Sequence, residues 1–312
     1  MKLKRSHLIL VGVLAGLAQQ AHDPYMVSIA TTMVAAAVLA LAVYLHTMVA
    51  GLPTLGAAAW SATGAFAAVH LGAGILSLQI VVGAAAGLLL AAVTGLLVVR
   101  SSGLTTIMIT LAVAEVVQVT AGHWKAITGG TDGLSISVPV LWPGQPPAAD
   151  YELYTALLVT LGVVTAVLWI WLASPSGQAL RAVADNRWRM QACGWNTTAH
   201  LYTMHLVAGT IGGIAGAMLL AARQYTSPAD ASLQISALVL AAAVIGANLE
   251  LPGVIAAAVA LVAVRDLASA LLPGPWAGHS MILLAAVLLA ASYLPTRTSN
   301  RRVRPVAVSK EY

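Results

Sequence analysis

Charge is scarce in this 312-residue chain: 8% of its residues are Asp, Glu, Lys or Arg, while 60% are hydrophobic. Soluble domains carry about 25% charged residues. This sequence therefore lacks the polar surface to cover a water-facing globule, which excludes a soluble enzyme and a disordered protein. Cysteine is reduced to Cys193, so no internal disulfide framework exists. Phe also occurs once, against 8 Trp and 8 Tyr, and the abundant Ala and Gly suit helices that approach closely through small residues. Catalytic signatures are missing too. No G-x-x-x-x-G-K-[ST] loop is present to cradle ATP phosphates, and there is no H-E-x-x-H, cysteine pair or G-x-S-x-G elbow. The 8 His are scattered rather than set at ligand spacing. No intramembrane acidic pair suggests metal–phosphate chemistry. The expectation is no catalytic residue and no metal site.

Long apolar runs are what the chain does have. A helix needs about 20 apolar residues to cross a bilayer, and breaks at polar or Pro/Gly positions divide the chain into ten candidate spans. They cover 7–20, 26–45, 53–70, 74–99, 104–121, 151–173, 200–222, 232–248, 253–272 and 276–294. The first and eighth are short. Lys2, Lys4 and Arg5 ahead of the apolar run Leu8–Ala18 fit either a signal peptide or a first span. Ten spans place both termini on one side. With that side cytoplasmic, only Lys125, Arg223 and Arg265 of the 15 Lys and Arg fall outside or at outer ends, as the positive-inside rule requires. The basic pI near 9.6 then reflects membrane orientation and not nucleic-acid binding. The expected fold is an all-α polytopic membrane protein, one transmembrane domain over 1–312, with both termini cytoplasmic.

Two connecting segments are long: an external one at 122–150, rich in Gly and Pro, and a basic cytoplasmic one at 174–199 that reads as one or two short helices, ahead of a cytoplasmic tail at 295–312. An internal echo links Gly51–Ala59 with Glu250–Ala258. It would make a parallel repeat, although an Ala-rich chain also produces such matches by chance.

Two places carry chemistry. Glu115 falls mid-span in 104–121, where a carboxylate is expensive unless it meets protein or water. Helical spacing puts Leu111, Ala112, Gln118, Val119 and Gly122 on its face. It reads equally as a pathway or gating group and as a hydrogen-bonded link between helices. In 174–199, Arg181, Asp185 and Arg189 recur at i, i+4 and i+8 as one charged stripe, with Gly194 placed to end the helix. Such a segment suits an ordinary charged inside loop or a helix that docks in a partner's groove.

These residues resemble a family. In 174–199, Gly177, Ala179, Leu180, Arg181, Ala182, Asn186, Ala192 and Gly194, with Asp185 as a conservative match, resemble the coupling loop of LivM-type permease subunits of ATP-binding-cassette importers for branched-chain amino acids. Thr110-Leu111-Ala112 with Glu115, followed by Thr128-Gly129-Gly130 and Gly133-Leu134, are similar to two further family stretches. A third is matched by Gly51, Leu55, Gly56, Ala58, Ala59, Gly64 and Ala65. The resemblance runs in order from about residue 30 to 295. The chain departs from the family pattern at Ala57 (usually His), Phe66 (often Tyr), Arg187 (commonly Glu) and Gln191 (an acid).

The resemblance implies a permease subunit, in the bacterial inner membrane, of an importer for branched-chain amino acids or a related small polar solute such as urea or short amides. It implies a second permease subunit, two cytoplasmic ATPase subunits that carry ATP and Mg²⁺, and an extracytoplasmic solute-binding protein. No cofactor is expected on this chain. The expected pathway or gate residues are Glu115, Gln118, Thr110, Gly56 and Ala57, and the external loop motif is Thr128, Gly129, Gly130 and Gly133. The coupling residues are Gly177, Leu180, Arg181, Asp185, Asn186, Arg189 and Gly194. A stand-alone secondary transporter or facilitator, and less readily an intramembrane enzyme, are the alternatives.

Overall fold

The computed structural model describes residues 24–271. The expected spans at 7–20 and 276–294, and the tail at 295–312, lie outside the described residues. Helix α1 (Pro24–Tyr44) runs into a single π turn, Leu45–Val49. It is followed by α2 (Ala57–Leu71), α3 (Leu76–Val98), α4 (Leu104–His123) and α5 (Asp150–Ala173). Two short helices, α6 (Pro175–Asp185) and α7 (Arg187–Ala192), precede α8 (Thr197–Arg223), α9 (Leu233–Gly246) and α10 (Glu250–Leu271). A two-residue strand pair, β1 (Leu134–Ser135) antiparallel to β2 (Tyr225–Thr226), is the only sheet among the described residues.

Apolar sequence without water forces the backbone to satisfy its own hydrogen bonds, and helices do so within one segment. Among the described residues, six helical stretches are long and apolar enough to cross a membrane: 25–49, 76–98, 104–123, 150–173, 197–223 and 233–266. The last is interrupted. Ala247–Leu249 form a 3₁₀ turn and Glu250 adopts φ +59°, so α9 ends and α10 starts anew. Helix α9, with 14 residues, and α2, with 15, are each about 21–23 Å long, short of the ~30 Å hydrocarbon core. The span expected at 53–70 thus begins only at Ala57. Pro53 cannot donate a backbone hydrogen bond, and residues 50–56 form a loop in which Gly51 adopts φ +71°. The paired sequence echo also differs locally: Pro53 lies in this loop, whereas Pro252 sits in the first turn of α10.

Helices α1 and α8 form the centre. Ala37–Leu45 are all buried, and α8 buries residues along its whole length. Helices α3 and α5 pack against this pair, α4 lies further out against α2, α3 and the 228–231 turn, and all three turn apolar side chains outward. Small residues set the α3–α8 approach: Gly83, Gly87, Ala91 and Gly95 recur at every fourth position and meet Gly209, Gly213 and His205. A methyl group at Gly213 would collide with the backbone of Gly83 and Gly87. On another face of α8, Trp60 of α2 fits over Gly212.

Candidate functional site

Segment 174–199 is built by capping residues. Ser174 Oγ accepts from Gly177 N at 3.5 Å and Pro175 opens α6, so the chain turns sharply out of α5. Gly177 is buried at that turn. A Cβ there would lie 2.6 Å from Leu172 Cα and 2.7 Å from the Trp171 carbonyl oxygen. Ala179, Leu180 and Val183 are also buried, while Gln178, Arg181, Ala184 and Asp185 face outward. The single stripe through Arg189 is not formed. Asn186 has an extended backbone (φ −160°, ψ 96°) and its Oδ1 accepts from Arg189 N at 2.9 Å, which stops α6 and caps α7. Asn side chains compete for backbone donors in this way. Arg181 and Asp185 therefore share the outer face of α6, and Arg189 belongs to α7. Gly194, at φ +84°, follows α7 as the spacing predicted.

Arg187, one of the departures from the family pattern, donates from Nη2 to the Val99 carbonyl at 3.0 Å, at the end of α3. A cation there satisfies an otherwise unpaired helix-terminal carbonyl. Trp188 is 81% exposed. This large aromatic on a short polar helix was a legible signal of a contact surface, yet the charge spacing alone does not select it.

At the exposed edge of α6, Ala184 meets the loop 50–56, since a Cβ at Gly51 would sit 3.4 Å from its Cβ. The loop is held in turn by α4. Leu55 N donates to Thr110 Oγ1 at 3.1 Å, and that hydroxyl lies 2.9 Å from the Thr106 carbonyl. Gly56 packs against Thr110, and Ala57 is fully buried. Thr110, Gly56 and Ala57 thus come together. Glu115 does not join them. It lies on the outward stripe of α4 with Leu104, Met108, Ala112 and Val119, all exposed, whereas Thr106, Thr110, Ala114 and Ala121 face inward. Gln118, Leu111 and Gly122 are half-buried beside it.

The Thr128–Gly133 motif forms a wound loop. Thr128 Oγ1 lies 2.9 Å from the Trp124 carbonyl and also contacts the Ala121 carbonyl. Gly129, Gly130 and Gly133 have φ between +67° and +73°, the region that favours glycine. Gly133 leads into β1, and Tyr225 Oη donates to the Asp132 carbonyl at 3.0 Å. The motif is held by its own backbone and by the 225–226 segment.

A buried polar chain joins two histidines that the sequence separates. His46 Nδ1 lies 2.6 Å from the Leu52 carbonyl, and its Nε2 lies 2.9 Å from His205 Nδ1. His205 Nε2 lies 3.0 Å from Thr94 Oγ1, which is also 2.9 Å from the Leu90 carbonyl. A carbonyl only accepts, so His46 Nδ1 carries a proton and donates it to Leu52. In the neutral pair His205 Nδ1 then donates to His46. Trp60 lies against both rings, with centroid distances of 5.8 and 5.3 Å. The chain links α1, α3, α8 and the loop 50–56. Ionisable groups within spans were the signal for it.

Residues 25–292 match the family described as the branched-chain amino acid transport system permease component. The chain belongs to that family. One relative is the high-affinity branched-chain amino acid transport system permease protein LivM of Salmonella typhimurium strain LT2, at 29% identity. The alignment covers 78% of this chain, which spans 65% of the length of that curated relative. No solved structure matches the chain. Family membership and the apolar helices together make this a multi-pass inner-membrane protein. The family match extends over every element described above, from α1 to α10.

Proposed function

We propose that the chain is the transmembrane permease subunit of an ATP-driven importer for branched-chain amino acids or a related small polar solute such as urea or short amides. It spans the membrane ten times with both termini inside. It works with a second permease subunit, two ATPase subunits that hold ATP and Mg²⁺, and an external solute-binding protein. The observation that carries this reading is segment 174–199. It is pinned to the core by Gly177, Leu180 and Arg187 and turns Arg181, Asp185, Trp188 and Arg189 outward, as a docking surface for an ATPase requires.

A contiguous set of contacts supports a route from that surface to the pathway. Helix α6 rests on Gly51, the loop 50–56 is tied through Leu55 to Thr110, and α4 carries Glu115. A lipid-facing carboxylate at mid-span costs at least ~2.5 kcal/mol. The outward stripe of α4 therefore meets the second permease subunit or a water-filled route between the two, and Glu115 with Gln118 lines it.

Reconstitution decides the matter. Proteoliposomes with the partner ATPases and solute-binding protein should take up leucine or a short amide only with ATP. Uptake by this chain alone, driven by an ion gradient, would establish a secondary transporter instead.

A further inference from the structure

A cavity of about 270 Å³ lies between α1, α2, α8, α9 and α10, beside the turn 228–231. It is close to the lower end, about 300 Å³, of small-solute sites. Its walls are divided. Leu39, Leu238 and Val262 supply apolar surface, and Arg223, Arg265 and Asp230 supply charge at one end. The charges are not balanced in hydrogen-bonding capacity. Asp230 Oδ1 accepts from Arg223 Nη1 at 3.3 Å, and its Oδ2 accepts from Ser227 N at 2.9 Å and Thr226 Oγ1 at 3.3 Å. Its acceptors are thus taken up in holding the 228–231 turn. Arg223 commits one N–H to that contact, and Arg265 commits Nε to Asp266 Oδ1 at 2.7 Å, whereas a guanidinium has five N–H donors. Among the described residues, the two arginines therefore line one small cavity with guanidinium donors beyond these contacts, with the Asp266 carboxylate near enough to act on both. Planar donor forks of this kind match a carboxylate.

We propose that this cavity is a solute site for a small aliphatic carboxylate. The carboxylate lies on Arg223 and Arg265, and the alkyl group lies against Leu39, Leu238 and Val262. The inference rests on the importer reading for its role in transport, but its binding chemistry does not. It also separates the two solute classes, because urea and short amides lack the anion that the arginines select. In the proposed orientation, the outer end of α8 places this site on the side from which solute arrives.

The test is ligand-induced thermal stabilisation and calorimetry of the full chain in lipid nanodiscs, without ATPase. Leucine and 4-methylpentanoate should each bind saturably; leucinamide and urea should not. Arg265→Gln should weaken leucine binding at least about tenfold. Ala65→Leu, which fills the cavity and keeps every charge, should abolish it while the protein stays monodisperse. Equal binding of leucinamide, unchanged binding by a well-folded Arg265→Gln protein, or no binding of either carboxylate by the unaltered chain overturns the proposal. Loss of ATP-driven uptake with these binding results intact would instead refute the importer reading.

Discussion

His46 Nε2 and His205 Nδ1 meet at 2.9 Å although 159 positions separate them. Both rings are buried, at 0% and 1% exposure, and each has its second nitrogen engaged, by the Leu52 carbonyl and Thr94 Oγ1. A pair of this kind fixes four parts of the fold at one point. Removing one ring leaves the other with a buried nitrogen and no partner, which costs about 1–3 kcal/mol. His46→Leu and His205→Leu should each lower the melting temperature of the detergent-solubilised protein. The double variant should lose less than the sum of the two, because contacting residues are not additive. Additive losses would mean that the two rings are not coupled.

Glu115 stands on the outside of a single chain, so its removal should leave that chain's own stability within about 0.5 kcal/mol, as surface changes do. Glu115→Gln should reduce uptake with normal expression, assembly and solute-binding-protein association. Glu115→Leu should reduce it at least as far. Uptake and melting temperature measured on both variants check this, and full transport by a stable Glu115→Leu protein would remove the residue from the pathway.

Arg181 and Arg187 should behave differently although both are basic residues of the same segment. Arg181 points outward, so Arg181→Glu should abolish transport and weaken ATPase co-purification while the permease still inserts. Arg187 holds the end of α3. Arg187→Ala should therefore lower stability by about 1 kcal/mol and weaken the ATPase contact only modestly. Pull-down and thermal melts on the same preparations distinguish them.

Two glycines offer a contrast in packing. Gly213 is in backbone contact with α3, and Gly213→Val should destabilise by about 1–3 kcal/mol or more, seen as aggregation or an early melt. Gly162, in the interior of α5, has open space around its Cβ position. Gly162→Ala should be neutral or stabilising by about 0.5–1 kcal/mol, through helix propensity.

Thiol labelling tests the orientation. Cys193 is exposed just beyond α7, and an impermeant reagent applied to intact cells should leave it unlabelled until the membrane is opened. Gln145, exposed between β1 and α5, should react from outside as Gln145→Cys in a Cys193→Ser background. Reaction of both positions from one side would remove the even-span topology.

Composition and run length by themselves determined an all-helical membrane chain, because a bilayer leaves a continuous apolar segment few other ways to satisfy its backbone. Local spacing determined the short helical segment at 174–199 and the stop at Gly194, since capping and turning depend on neighbours in sequence. The break at Asn186 was also local in origin, but charge periodicity runs across it and hides it. What only the tertiary structure decided is which side of each helix faces inward. The spans are apolar all round, so no periodic stripe marks a core face, and the Gly83–Gly213 approach sets the α3–α8 pairing by close backbone packing. That packing places Glu115 outside, Thr110 inside against Gly56, and His46 beside His205. It also gathers Arg223 and Arg265 around one cavity, although the sequence shows them only as two isolated charges.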